Sequence, residues 1–105
     1  MPFDLTQHEQ ILLLSIWRLQ DDAYGVAIRR NVEEITKRHL HYGTLYNTLD
    51  KLTKKGFVES RRGEPTAERG GRCKIYYMLT REGLEALQKA KELQSAIWDG
   101  IPDFI

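Results

Sequence analysis

Between Tyr42 and Lys55, the side chains of Thr44, Asn47, Thr48 and Lys51 recur at intervals of three and four residues, so a helix through them would present their polar groups together. The Asn47 amide carries the donor and acceptor pair that matches the N6 and N7 edge of adenine in the major groove. The threonine hydroxyls and the Tyr42 phenol donate or accept, and Lys51 is a point charge for a phosphate. Arg69, Arg72 and Lys74 follow, facing Arg61 and Arg62 across a glycine-rich break. Arginines there can neutralise phosphates or enter a narrow minor groove, although as solvated charges they need no function. This is the chemistry of recognition rather than turnover. The chain has no phosphate-binding loop, no acid pair in a defined site and no Ser or Cys beside a positioned His, so it does not read as an enzyme. His8, His39, His41 and Cys73 have no zinc-site spacing, and neither a metal nor a cofactor is expected.

The charge distribution supports the same chemistry. The 105 residues carry a net charge of only +1, but from Lys37 to Lys74 there are ten Lys or Arg against four Asp or Glu. A basic segment on an acidic remainder is the electrostatic footprint of a nucleic-acid binder. The length fits one structural domain, with 1–79 as a DNA-binding part and 80–105 as a C-terminal helix and tail. The single cysteine, Cys73, suits a reducing compartment. The longest apolar run, Ile11 to Leu14, is too short to span a bilayer. A cytoplasmic protein without a membrane partner is expected.

The elements that must position these groups can be read in order. Thr6 and Glu9 form a capping box for a first helix reaching about Leu19. Asp22 is placed to cap a second helix from about Tyr24 to Ile35, with Tyr24, Ile28, Val32 and Ile35 on its inner face. After the polar turn 36–41, Leu45, Leu49 and Leu52 make an apolar stripe on a third helix. Gly56 stops that helix, since glycine takes the left-handed position without a Cβ clash. Tyr46 lies off the stripe, which leaves it either in the core or facing outward. Period-two patterns at 57–62 and 73–79 then read as strands joined by a tip containing Pro65 and glycines at 63, 70 and 71. The fold class is α+β: three helices, a two-stranded wing and a C-terminal helix, a winged helix-turn-helix.

Both terminal helices carry more apolar surface than one small domain can cover. The first holds Ile11, Leu12, Leu13, Leu14, Ile16, Trp17 and Leu19. The last, Arg81 to about Trp98, has Leu84, Leu87 and Trp98 on one side and Ala86, Ala90, Leu93 and Ile97 on what reads as nearly the opposite side. A second copy is the simplest cover, so a homodimer is expected through Leu13, Trp17, Ala86, Ala90, Leu93 and Ile97. Trp17 and Trp98 can fill that interface, or line a cavity that stacks a small aromatic ligand.

The chain closely resembles the PadR-like transcriptional regulators over nearly its whole length. The match rests on Tyr24-Gly25, Gly43-Thr44-Leu45-Tyr46, Leu49-x-x-Leu52, Gly56-Phe57-Val58-Glu59, Arg69-Gly70-Gly71-Arg72 and Tyr76-Tyr77-x-Leu79-Thr80-x-x-Gly83. At His41-Tyr42 it departs from the Ser-Pro of many relatives. The resemblance implies a dimer built largely through one C-terminal helix, operator binding to double-stranded DNA and repression of transcription. It also implies that the Tyr46 hydroxyl points to a phosphate, and some members of the family respond to aromatic ligands, which is the expectation set beside simple packing for Trp17 and Trp98. The competing reading is a winged-helix protein–protein interaction module without operator binding, since this fold also serves protein contacts.

Overall fold

The computed structural model describes residues 4–64 and 73–104. Its elements run α1 (Gln7–Leu19), a short 3-10 turn (Gln20–Asp22), α2 (Gly25–Thr36), α3 (Tyr42–Lys54), β1 (Val58–Arg62), β2 (Ile75–Leu79) and α4 (Arg81–Trp98). Four helices and one antiparallel hairpin make an α+β winged helix-turn-helix. The expected wing-tip residues Arg69 and Arg72 lie outside the described residues.

Helix α1 begins where Thr6 and Glu9 satisfy each other's free amides: Glu9 N–H donates to Thr6 Oγ1 at 3.0 Å and Thr6 N–H donates to Glu9 Oε1 at 2.9 Å. The second Glu9 oxygen lies 2.7 Å from Lys55 Nζ, joining the start of α1 to the residue that caps the end of α3. Burial alone would raise the Glu9 carboxyl. The Lys55 ammonium and the bonds to Thr6 outweigh it and hold the group below the ordinary carboxylate value.

The second helix starts differently from its sequence pattern. Asp22 does not cap it: Gln20–Asp22 continues as a 3-10 turn, the Asp22 carbonyl accepts Tyr24 N–H at 3.0 Å, and Tyr24 occupies the N-cap position without a side-chain capping bond. Lys37, in the left-handed region at φ 58°, closes α2. Ile28 and Val32 are buried as expected, whereas Ile35 is exposed at the end of the helix.

The leucine stripe of α3 is the floor of the core, with Leu45, Leu49 and Leu52 all buried against Leu12, Leu13, Ile16, Ile28 and Val32. Gly56, at φ +79°, ends the helix in a Schellman arrangement: its N–H donates to Thr53 O, and Phe57 N–H donates to Leu52 O, each at 3.0 Å. The chain then enters β1, which pairs with β2 in the register Val58↔Leu79 to Arg62↔Ile75. On its other edge β2 is held by the segment before α2, through Tyr77 N–H to Ala23 O at 2.8 Å and a bridge between Tyr24 and Tyr76. The wing is therefore fastened to the helix-turn-helix as well as to itself.

Thr80 caps α4, accepting Gly83 N–H at 3.1 Å while its own hydroxyl donates to Gly56 O. A Cβ at Gly83 would collide with the Phe57 carbonyl, so the first turn of α4 lies directly on the backbone entering β1. This docking sets the rotation of α4. At about 100° per residue the two apolar sets are adjacent halves of one stripe, not opposite faces. Gly83 and Ala86 are buried at its centre and Leu87 and Ala90 half-buried beside them. Ala86 and Leu13, expected at a partner interface, are both 0% exposed and belong to the protomer's own core.

Candidate nucleic-acid interface

The leucine stripe turns the opposite side of α3 outward, and Tyr42, Thr44, Tyr46, Asn47 and Lys51 are all exposed there. Thr48 is not among them. It is 8% exposed, and its hydroxyl donates to Thr44 O at 2.8 Å. Its place on the wheel, one step from Leu45 and Leu52, brings it inside the edge of the stripe, so the hydroxyl serves the helix backbone. Asp50 and Lys54 pair at 3.2 Å on the exposed surface, which offsets the one carboxylate of this face.

Tyr46 is neither core nor free of it. Its ring stacks on Tyr42 at a centroid distance of 6.2 Å, and its hydroxyl rests on Gly25, where any Cβ would strike it. Gly25 thus lets the recognition helix approach the first turn of α2. Tyr77 lies near Tyr46 and Asp50. Burial pushes its phenol above the ordinary value, with those two neighbours adding to the effect, and keeps it a hydrogen-bond donor.

The wing cations are held over aromatic rings. Lys74 Nζ lies 4.1 Å from the Tyr24 ring centroid and the Arg61 guanidinium carbon 4.7 Å from that of Tyr76. The two tyrosines meet edge to face at 5.7 Å. Such contacts restrict a long cationic side chain without neutralising it. Arg61 and Tyr76 are direct cross-strand partners. Sequence reasoning placed Arg61 and Lys74 in the wing but missed Tyr76 and Tyr24 as their respective supports, because the hairpin register does not follow from a tip of this length. It missed Arg29 too, whose guanidinium carbon stands 4.4 Å from the Tyr42 ring centroid.

Away from this face, a groove of about 520 Å³ between α1 and α4 is lined by Leu14, Trp17, Leu84 and Leu87, with Gln10, Gln88 and Lys91 at its rim. Trp17 is 55% exposed, and Leu93 and Ile97 are each 58% exposed farther along α4. Trp98 packs beside Phe104 at 6.4 Å. It sits about 16 Å along the helix from Leu87, at about 1.5 Å rise per residue, so the two tryptophans do not share a pocket within one protomer. Among the described residues, no three His, Cys, Asp or Glu side chains gather as a metal site, and no helix is long and apolar enough to cross a membrane.

Comparison with known proteins agrees with this geometry. The structure is similar to that of a PadR family transcription regulator from Clostridium difficile R20291, with 32% identity, 88% of this chain and 92% of that chain covered and a TM-score of 0.71. It is similar to RosR of H. salinarum at 30% identity, covering 95% of this chain and 83% of that one with a TM-score of 0.70. A transcriptional regulator from Clostridium thermocellum matches at 26% identity over 92% of this chain and 91% of its own, with a TM-score of 0.72. No curated protein matches in sequence. The PadR-like transcriptional regulator family matches residues 13–89, from the middle of α1 to well into α4. With the recognition helix, the wing and the C-terminal helix in the same order, the chain belongs to the PadR-like family of transcriptional regulators.

Proposed function

We propose that this regulator works in the cytoplasm as a homodimeric repressor that binds a specific operator, with α3 in the major groove and the wing on the flanking backbone. Family membership already implies regulation through DNA binding. The observations that carry the finer reading are that Thr44, Asn47 and Lys51 of α3 are exposed, that Lys74 and Arg61 of the wing are held over the Tyr24 and Tyr76 rings, and that Gly25, next to Tyr24, receives the Tyr46 hydroxyl of α3. In this reading Asn47 reads a base edge, Tyr42 and Thr44 contact the groove, and Lys51, Lys74 and the Tyr46 hydroxyl meet phosphates. Arg69 and Arg72 extend the wing contact. Footprinting of the DNA upstream of its own gene tests the proposal. A protected site with half-sites about 34 to 36 Å apart, or a multiple of that, is expected. Binding with no dependence on salt, or none at all, would leave the winged helix as a protein-binding module.

The dimer is proposed through α4, where Ala90, Leu93 and Ile97 continue the apolar stripe beyond the body, and through Trp17 on α1. A small aromatic effector is a second reading, supported by the exposed indole of Trp17 between two grooves, one with Leu87 and one with Met78. Trp98 could reach that site only from the partner protomer. Indole fluorescence with a panel of aromatic acids and flat aromatic cations, read together with operator release, tests it. No quenching by any of them would leave both tryptophans as packing residues.

A further inference from the structure

The backbone of Leu40, one residue before the N-cap of α3, is gripped from both directions by α2. Its N–H donates to Glu33 Oε2 at 2.7 Å, and its carbonyl accepts from Arg29 Nε at 2.6 Å. The same Glu33 oxygen lies 2.9 Å from His39 Nδ1 and 3.5 Å from Arg29 Nη2. Arg29 also covers Tyr42, the first residue of α3, with its guanidinium carbon 4.4 Å from the ring centroid, and Tyr42 in turn stacks on Tyr46. A planar guanidinium can donate in its plane to a carbonyl while its face lies on a ring. An ammonium cannot do both from one position.

This grip matters because α3 has little of its own to fix its start. The N-cap residue His41 makes no side-chain capping bond. The orientation of the first turn therefore depends on the segment behind it, and there both polar atoms of Leu40 are bonded to charged groups while its side chain is buried in the core. Charge-assisted hydrogen bonds to backbone are stronger than the half-buried i,i+4 ion pair between Arg29 and Glu33 taken alone, which is 3.5 Å long.

We propose that Arg29 and Glu33 are positioning residues for DNA recognition: they clamp Leu40, set the angle at which α3 leaves the turn, and hold Tyr42 and Tyr46 in place at its groove end. The inference rests on the DNA-binding reading above. It adds two residues whose effect on the operator is exerted through the helix.

The test uses Arg29→Lys, Glu33→Gln and the double variant of the full chain, with a duplex selected by the unsubstituted protein from a randomised pool and a second duplex of random sequence. Each single change should weaken binding to the selected duplex about tenfold, the loss of one charge-assisted hydrogen bond's worth of positioning. The double variant should fall no further than the worse single, because the two act as one unit. Binding to the random duplex and the salt slope should stay as they were, which a general loss of folding would not allow. Amide exchange at Leu40 should quicken in both single variants, a readout independent of DNA. Unchanged affinity for the selected duplex in both would overturn the proposal, as would unchanged exchange at Leu40. One further variant, Arg29→Gln, removes the charge that Arg29→Lys keeps: its salt slope should also stay unchanged, and a slope shallower by about 0.9 would make Arg29 a phosphate contact instead and overturn the positioning role. If the unsubstituted protein selects no duplex, the DNA-binding reading itself fails, and the clamp falls with it.

Discussion

Individual side chains on α3 divide sharply by one criterion, whether the polar group faces solvent or the helix itself. Lys51 is exposed, and its replacement by Ala should make the log-log dependence of operator affinity on salt about 0.9 units shallower. Thr48→Val should leave that affinity unchanged, because the hydroxyl it removes is already donated to Thr44 O, and should lower stability by about 1 kcal/mol. A fall in affinity for Thr48→Val with stability intact would show that the threonine faces DNA after all. Glu9 makes a prediction of a different kind. Its carboxyl is held below the ordinary value of 4.5, so the stability it contributes is fully present above that value and is lost as pH falls through the lower folded one. Urea midpoints at about pH 6 and about pH 3 should therefore converge between Glu9→Gln and the unsubstituted protein, the latter losing more on acidification. A parallel decline of the two would mean that the Lys55 pair adds nothing.

At the level of elements, what was legible in the sequence was local, and what was not depended on docking. The Thr6 and Glu9 box, the leucine stripe of α3, Gly56 as a stop and Thr80 as a cap each involve groups within a few residues of one another, and each stands where its pattern puts it. The cap of α2 was misread because an acidic residue before a helix also suits a 3-10 turn, and the chain takes that turn from Gln20 to Asp22. Leu13 and Ala86 were assigned to a partner because each sits on a helix with excess apolar surface, and periodicity does not say which part of a wide stripe meets the body. Contact between Gly83 and the Phe57 carbonyl settles that for α4. The same contact makes Gly83→Ala a sensitive probe: the added methyl meets backbone rather than a flexible side chain. It should lower the thermal midpoint well beyond Gly56→Ala, where the cost is only the left-handed backbone, about 1 to 2 kcal/mol, with open space around the new methyl. Equal losses at the two sites, measured by calorimetry, would show that α4 can shift to relieve the clash.

The molecule as a whole is longer than its core requires. It extends 56 × 30 × 22 Å, and its radius of gyration of 15.5 Å exceeds the roughly 13 Å of a compact chain near this size. Residues 91–98, the outer half of α4, are all exposed, and in the tail behind it Phe104 is 77% exposed. With Leu14 and Trp17 of α1 also exposed, this leaves a set of large apolar side chains that the protomer does not bury. A two-fold partner covering it would also put two recognition helices at a fixed spacing, so one surface would serve both stability and operator reading. Leu93→Glu combined with Ile97→Glu separates these roles from folding, because neither side chain touches the protomer's buried core. Sedimentation equilibrium should show a dimer for the unsubstituted protein and a monomer for the variant, with far-ultraviolet dichroism largely retained. Operator affinity should fall by about 10² to 10⁴, the usual gain from linking two modest contacts, while affinity for a single half-site stays within a few-fold. A variant that remains dimeric would move the interface off α4. A monomer that keeps full operator affinity would mean that each reader works alone, and the length of α4 would then need a different partner.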